Sequence, residues 1–332
     1  MRTDLVDGFR IDRGFQVLLT AYPEVDRQLD TAALRLRSFD PGSAMWVGGR
    51  MWTMGDPLRK PSLAVASAVA PFGSVADKLR LGRLLLKLRK ADPRQLLRGP
   101  DITTSEWLAS LGFGSHIRDR FLGPLLGGIQ LDPHLEGSAR MAQTVLHCLS
   151  VGDSAVPALG MQAIPDQLAA GLAPGTVRLG TVVQRVQAGV VHLADGTSVE
   201  ASSVVVATDG PAAARLLGDH IPDPGSRAVG CVWFKAPKSP MAQKLIVLDG
   251  EHSGPALNVS VMSNISPDYV PSNAPHGTAL IAAACPGIDA NINPAQLESD
   301  VRAQLTSWWG PQRSEEHTSE LQSHHDLVCR LL

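Results

Sequence analysis

Cysteine and aromatic residues are scarce in this 332-residue sequence, and its positive and negative charges nearly balance. The four cysteines stand far apart without C-x-x-C spacing, which excludes a disulfide framework and a cysteine zinc site and indicates a reducing compartment. The formal net charge is −2, so no overall field would hold nucleic acid or an anionic membrane. We therefore expect no nucleic-acid partner, and other partners must be inferred from local features.

Long hydrophobic runs and targeting signals are missing as well. The longest apolar-leaning run, residues 62–72, is well short of the ~20 residues that a transmembrane helix needs. The first residues show no basic segment followed by an apolar one, as a secretory signal would. The sequence therefore predicts a cytoplasmic protein.

The composition is that of an ordinary globular chain, with 44% hydrophobic and 19% charged residues and a length that allows two domains at ~100–200 residues each. Residues 7–19 alternate apolar and polar side chains, which predicts a strand. A helix is expected near residues 23–36. A hairpin is expected over residues 44–53, where Gly48-Gly49 separates two short aromatic-bearing runs.

The rest of the pattern mixes helices and strands, so the predicted fold class is α/β or mixed α+β. Leucine spacing predicts a mostly helical block over residues 62–149 and a further helix over 294–309. Short β-rich runs separated by turn residues predict strands at 176–179, 181–186, 190–193, 203–208, 228–234, 245–248, 257–262 and 279–285.

One predicted helix, residues 76–90, is strongly basic. It carries Lys78, Arg80, Arg83, Lys87, Arg89 and Lys90 between leucines at helical spacing. We favour a solvated helix face over a leucine core, since one basic stripe on a near-neutral chain is common. The alternative is a peripheral membrane contact through this helix.

No single motif marks a catalytic or nucleotide site. A G-x-G-x-x-G turn between strand and helix, which holds a pyrophosphate on backbone amides, is absent from the sequence. Gly112-Phe113-Gly114 and Gly127-Gly128 are interpreted as turns. No H-E-x-x-H or triad-like context occurs and the histidines stand isolated, so we predict no metal site and name no catalytic residue.

Three separated segments carry a resemblance when they are taken together. They are Arg2-Thr3 with residues 8–16, then Pro157–Pro165, and finally Thr181–Val183 with Asp195-Gly196 and Val204–Thr208. In this order and spacing, over about residues 2–312, the chain resembles the superfamily of flavin-dependent amine oxidases, phytoene desaturases and protoporphyrinogen oxidases.

The resemblance implies FAD as the cofactor and an incomplete Rossmann-like FAD-binding domain with an inserted helical and mixed-sheet substrate domain. Residues 1–20 and 150–215 would form the first domain, and residues 21–149 and 216–312 the second. In the family, the position of Val183 holds the adenine through its backbone, and Ala207-Thr208 ends a strand close to the cofactor. The implied cofactor-binding residues are Arg2, Thr3, Asp12, Gly14, Val183, Ala207 and Thr208.

The sequence departs from the family pattern at both ends. The opening strand, G-x-G-x-x-G turn and helix of the family would precede Met1, and the closing Gly-Asp strand and helix are missing. Residues 313–323 resemble the in-frame translation of a common sequencing-library adapter. We therefore expect a fragment truncated at both ends, with residues 313–332 as a non-native tail.

The implied reaction is hydride transfer from a small organic substrate to the flavin. Because the cofactor carries that chemistry, no catalytic acid or base needs to be visible in the sequence. The leucine-rich block favours an apolar substrate. Two alternatives stay open: a non-catalytic chain without bound flavin, and a module that binds a lipid surface. The oligomeric state is unknown from these residues.

Overall fold

A computed structural model describes residues 1–56 and 59–310, together with the backbone of 322–323 and 329–331. The chain divides into two compact units, Met1–Asp166 with Ala228–Leu331, and Gln167–Arg227. The predicted mixture of helices and strands is confirmed. The predicted grouping of residues into an FAD-binding domain and a substrate domain stays a prediction, as does the non-native tail, most of which lies outside the described residues.

The strands vary in length from two to ten residues. In chain order they are β1 Thr3–Val6, β2 Phe9–Asp12, β3 Leu18–Leu19, β4 Arg37–Ser38, β5 Gly42–Val47, β6 Arg50–Gly55, β7 Ser154–Val156, β8 Val183–Gln187, β9 Val190–Leu193, β10 Ser198–Glu200, β11 Ala228–Ala236, β12 Ile246–Asp249, β13 Asn258–Val261, β14 Ala279–Ile288, β15 Gln322–Ser323 and β16 Cys329–Leu331.

The α-helices are α1 Pro23–Gln28, α2 Ala64–Val69, α3 Val75–Arg89, α4 Pro93–Leu96, α5 Thr104–Ser110, α6 Ser115–Ile117, α7 Gly123–Gln130, α8 Ala139–Val151, α9 Ala163–Ala170, α10 Gly210–Leu217, α11 Met262–Ile265 and α12 Pro294–Trp309. A π-helical turn, Arg118–Leu122, joins α6 to α7, and short 3₁₀ turns lie at Pro61–Leu63, Gly218–His220 and Pro267–Tyr269.

An eight-stranded mixed sheet forms the centre of the larger unit. Its order is β15-β11-β14-β13-β12-β5-β6, with β16 also paired to β11. Strand β12 pairs parallel to β5 and antiparallel to β13, so the predicted hairpin β5–β6 joins strands from the far end of the sequence. Because successive residues of a strand point to opposite faces, the sheet buries two different sets of side chains.

The two faces of this sheet pack against different parts of the chain. One face buries Val232, Val247 and Val259 against the apolar side of α12. The other face buries Trp233 and Ala282 against the strand β2 region. The helical block that was predicted over residues 62–149 forms a third apolar cluster, to which α3, α5 and α8 contribute.

The smaller unit is a three-stranded antiparallel sheet, β10-β9-β8, followed by α10. The predicted turn at Asp195-Gly196 connects β9 to β10, and the Asp195 carboxylate accepts a hydrogen bond from the backbone N–H of Thr197 at 2.9 Å. Asp209 caps the start of helix α10, and its side chain accepts a hydrogen bond from the N–H of Ala212.

Several sequence predictions of local structure are wrong. The helix expected over 23–36 ends at Gln28, because Leu29 is extended. Residues 176–179 and 203–208 form no strand, since neither has a ladder partner among the described residues, and an isolated strand leaves its backbone groups unpaired. Gly127-Gly128 lies inside α7, where a Cβ on Gly128 would come within 1.4 Å of Asn258 Oδ1. Close packing, not a turn, requires glycine there.

Among the described residues, no helix is both long and apolar enough to cross a bilayer. The cytoplasmic location stays a prediction.

Candidate functional site

A buried carboxylate, that of Asp12, joins three distant parts of the chain. Asp12 ends β2 and is 2% exposed. Its Oδ1 accepts from the Thr3 hydroxyl at 2.5 Å and from the backbone N–H of Met161 at 2.9 Å, and its Oδ2 accepts from the Tyr269 hydroxyl at 2.6 Å. We call Thr3, Asp12, Met161, Gln162 and Tyr269 the Asp12 cluster.

The Asp12 cluster is a buried carboxyl group surrounded by neutral hydrogen-bond donors. Burial raises the pKa of Asp12, and the hydrogen bonds from Thr3, Tyr269 and Met161 oppose that rise because they favour the ionised form. Burial also raises the pKa of the Tyr269 phenol, and the adjacent Asp12 carboxylate raises it further. Tyr269 therefore acts as a hydrogen-bond donor in this cluster.

A second pair of hydrogen bonds ties β1 to the segment before α9. The backbone N–H of Thr3 donates to Gln162 Oε1 at 3.1 Å, and the N–H of Gln162 donates to Thr3 Oγ1 at 3.0 Å. The chain turns at Gly160, whose φ is +93°, and a Cβ there would lie 2.5 Å from both Thr3 Cγ2 and Thr3 Oγ1. The Pro157–Pro165 segment of the resemblance therefore meets the Arg2-Thr3 segment in space.

The four candidate residues of the larger unit have different surroundings. The side chains of Thr3 and Asp12 are engaged within the Asp12 cluster. Gly14 is buried with a φ of +92°. The side chain of Arg2 is 61% exposed, and its Nε lies 2.9 Å from Asp4 Oδ1. A hydrogen bond from Arg13, assisted by the charges of Arg13 and Arg2, lowers the pKa of Asp4.

The other three candidate residues lie in the smaller unit. Val183 begins β8 and pairs with Leu193. Ala207 and Thr208 are exposed and precede α10, in a segment that forms no strand. Their predicted contact with a cofactor, like that of Arg2, Thr3, Asp12 and Gly14, stays a prediction.

The sheet face beside the Asp12 cluster carries polar atoms without partners. Within the part of the chain that the structure describes, Trp233 Nε1, Ser260 Oγ and Asn258 Oδ1 are buried and make no hydrogen bond. Ala282 of the central strand β14 pairs with Trp233 of β11 on one side and with Ser260 of β13 on the other. Trp233 also packs in the same apolar cluster as Ile11 and Tyr269. Buried polar atoms without a partner are uncommon and mark positions that require an explanation.

Sequence reasoning missed Tyr269, Trp233 and Ser260. No motif surrounds them, and the pattern that predicts β11 and β13 as buried strands says nothing about which polar atoms lack a partner. Tyr269 is one of two tyrosines in the chain, and the sequence around it does not show that its hydroxyl binds a buried carboxylate.

Comparison with known proteins decides the family. The model of the flavin-containing amine oxidoreductase family matches residues 1–327. The chain belongs to this family. It is therefore a flavin-dependent oxidoreductase, and the prediction of the family, the enzyme class and the FAD cofactor is confirmed. Among curated proteins, none matches the sequence.

Several solved structures share the fold of this chain. A double mutant of putrescine oxidase is 16% identical, and the match covers 96% of this chain and 75% of that chain with a TM-score of 0.62. Reduced UDP-galactopyranose mutase is 15% identical, covering 97% and 73% with a TM-score of 0.65. Cyclohexylamine oxidase from Brevibacterium oxydans IH-35A is 17% identical, covering 96% and 74% with a TM-score of 0.62. At these identities the likeness shows the fold of this flavin-containing amine oxidoreductase.

Removing the Tyr269 hydroxyl tests whether the Asp12 cluster stabilises the fold. We expect Tyr269→Phe to lower the free energy of unfolding by about 1–3 kcal/mol near neutral pH, because a buried carboxylate loses a donor. The same loss raises the pKa of Asp12 further, so the penalty shrinks as the pH falls and Asp12 becomes protonated. Urea unfolding at several pH values measures this loss of stability and its dependence on pH. Tyr22→Phe is the matched control, and an equal effect of both variants would contradict the role of Tyr269.

A side chain at Gly160 tests the contact between the two resemblance segments. Gly160→Ala introduces strain of about 1–3 kcal/mol from the positive φ, and its methyl group also displaces Thr3. Gly175→Ala is the control, since Gly175 has a φ of +80° and no atom near its Cβ position. We expect thermal unfolding to show a larger loss of stability for Gly160→Ala than for Gly175→Ala. Equal losses would mean that the contact with Thr3 contributes nothing.

Proposed function

We propose that this flavin-dependent oxidoreductase acts on an organic substrate of largely apolar character, which binds in the larger unit on the sheet face that carries Trp233 and Ser260. The two unpartnered polar atoms of these residues are the observation that carries the proposal. Leaving such atoms buried without a partner costs about 1–3 kcal/mol each, a cost that a bound ligand would offset.

The surroundings of these atoms support an apolar substrate. Ala282 lies between Trp233 and Ser260, and Ile246 lies beyond Ser260 on the same face. Trp233 is 1% exposed and Ser260 0% exposed, so a substrate would reach them only when the β2 region that packs on this face moves away. It would then contact aliphatic and aromatic groups, with the Trp233 N–H as a donor and the Ser260 hydroxyl as a donor or an acceptor for one polar group. Apolar sites with a few placed polar groups orient small molecules and exclude water.

The residues of the larger unit also fit the cofactor in part. When it is bound, FAD supplies the hydride acceptor of the reaction. The exposed Arg2 guanidinium is suited to the diphosphate, and the positive φ of Gly14 permits a conformation that other residues rarely adopt. Because Thr3 and Asp12 are engaged with each other, we assign them to positioning the β1–β2 hairpin. The roles that the resemblance implies for Val183, Ala207 and Thr208 in binding the adenine stay predictions.

Kinetics of flavin reduction test the substrate proposal. Trp233→Phe and Ser260→Ala each remove one unpartnered atom and keep most of the side-chain volume. We expect kcat/KM for an apolar substrate to fall about tenfold or more in both variants. The free energy of unfolding should be unchanged or higher in Ser260→Ala and about 1–2 kcal/mol lower in Trp233→Phe, where the smaller ring leaves a cavity. The rate of flavin reduction is measured from the anaerobic bleaching of flavin absorbance. The substrates are a panel of small charged amines, bulky apolar amines and polyenes.

The control is Ser150→Ala, a buried serine whose hydroxyl donates to the His147 carbonyl at 2.7 Å. This variant should lose stability and keep its kinetics. Unchanged kinetics in Trp233→Phe and Ser260→Ala, or turnover restricted to small charged amines, would contradict the proposed substrate site.

The alternative is that these 332 residues do not retain FAD by themselves, and the missing G-x-G-x-x-G turn supports it. If this alternative holds, the purified chain shows substoichiometric flavin, measured from its visible absorbance and from FAD released on denaturation. Stoichiometric flavin would contradict the alternative and permit the kinetic test directly.

A further inference from the structure

Helix α3 has apolar side chains on two opposite sides. Leu81, Leu84 and Leu88 are buried against the helical block. At 3.6 residues per turn, Val75, Leu79 and Leu86 fall on one line on the other side of the helix. These three side chains are exposed for 74%, 55% and 47% of their area. Helix α3 therefore carries two apolar stripes, one buried in the helical block and one exposed.

The exposed stripe is bordered by cations. Arg83, Lys87 and Lys90 lie along one edge and Arg89 along the other, and all four are exposed. The acidic residue of α3, Asp77, is buried in the capping box at the start of the helix, where it accepts from the N–H of Gly114 at 3.0 Å. No acidic side chain of α3 therefore faces solvent beside these cations.

Helix α2, which precedes α3 in the chain, also carries exposed aliphatic side chains. Val65 and Val69 are 75% and 63% exposed. The Lys78 ammonium contacts the Ala70 carbonyl at 2.8 Å and lies 4.7 Å from the Phe72 ring centre, which connects the start of α3 to the end of α2. We call Val65, Val69, Val75, Leu79 and Leu86 with their bordering cations the α2–α3 face.

We propose that the α2–α3 face docks on the surface of a bilayer that contains anionic lipid. Clustered aliphatic side chains in contact with solvent mark interaction surfaces. A row of aliphatic residues with Lys and Arg on both edges matches a helix lying in the membrane interface, where the apolar row enters the acyl region and the cations meet the lipid phosphates. The chain as a whole has a net charge of −2, so this attraction is local to the face.

Vesicle co-sedimentation of the full chain tests the proposal. The probes are vesicles of phosphatidylcholine alone and of phosphatidylcholine with phosphatidylglycerol. At low salt we expect the affinity for the anionic vesicles to be about tenfold or more higher than for phosphatidylcholine alone, because each cation near an anionic surface adds to the attraction. Added salt should weaken the binding, because salt screens that attraction. Binding of equal strength to both kinds of vesicle, or no binding, would overturn the proposal.

Two variants and two controls locate the contact. Leu79→Ser with Leu86→Ser removes the exposed stripe, and Arg83→Glu with Lys87→Glu reverses two bordering cations; both should reduce binding by about tenfold or more. The controls are Leu172→Ser, which is 50% exposed, and Arg215→Glu, both in the smaller unit. Circular dichroism and thermal unfolding establish that each variant is folded.

Other results would assign the face differently. Loss of binding in the controls to the same extent would show that vesicles do not select the α2–α3 face and would overturn the proposal. A concentration-dependent oligomer that Leu79→Ser with Leu86→Ser abolishes, in a protein that does not bind vesicles, would make the face an interface between copies. Because no residue of the face lies in the Asp12 cluster or beside Trp233, the outcome is independent of flavin retention and turnover.

Discussion

The buried carboxylate of Asp12 is the interaction on which the candidate site depends. It is 149 residues from Met161 and 257 residues from Tyr269 in the sequence, and it binds both directly. A buried charge without donors is strongly unfavourable, so the three segments that supply donors must stay together for Asp12 to remain in place. The hairpin β1–β2, the turn at Gly160 and the end of the Pro267–Tyr269 turn are therefore positioned as one group.

This group lies against one face of the large sheet, and that contact gives the sheet two different roles. The face that packs on α12 is filled by apolar side chains. The opposite face includes Trp233, Asn258 and Ser260, each with a buried atom that finds no partner in the described chain. Folding alone does not favour such atoms, whereas a binding site tolerates them because a ligand can satisfy them. The asymmetry of the sheet is the physical basis of the proposed substrate site.

The helical block adds a surface whose chemistry is compatible with that proposal. Its inner leucines complete the apolar cluster that supports β5, while the exposed residues of α2 and α3 combine aliphatic side chains with cations. An enzyme that oxidises an apolar substrate benefits from contact with the phase in which such a substrate dissolves. The two proposals rest on separate residues, and each stands without the other.

The sequence by itself determined most helices, most strands and the family. The bounds of α12 and of β9 follow from periodicity and turn residues, because those signals are local, and ordered motifs were enough to identify a flavin-dependent oxidoreductase. Tertiary structure decided the rest. Residues 203–208 have the composition of a strand but no ladder partner among the described residues, and Gly127-Gly128 serves close packing inside α7. The orientation of Asp12 depends on Met161 and Tyr269, which are 149 and 257 positions away. Which leucines of α3 remain exposed depends on the packing of other helices such as α8 against it, and no local pattern encodes either set of contacts.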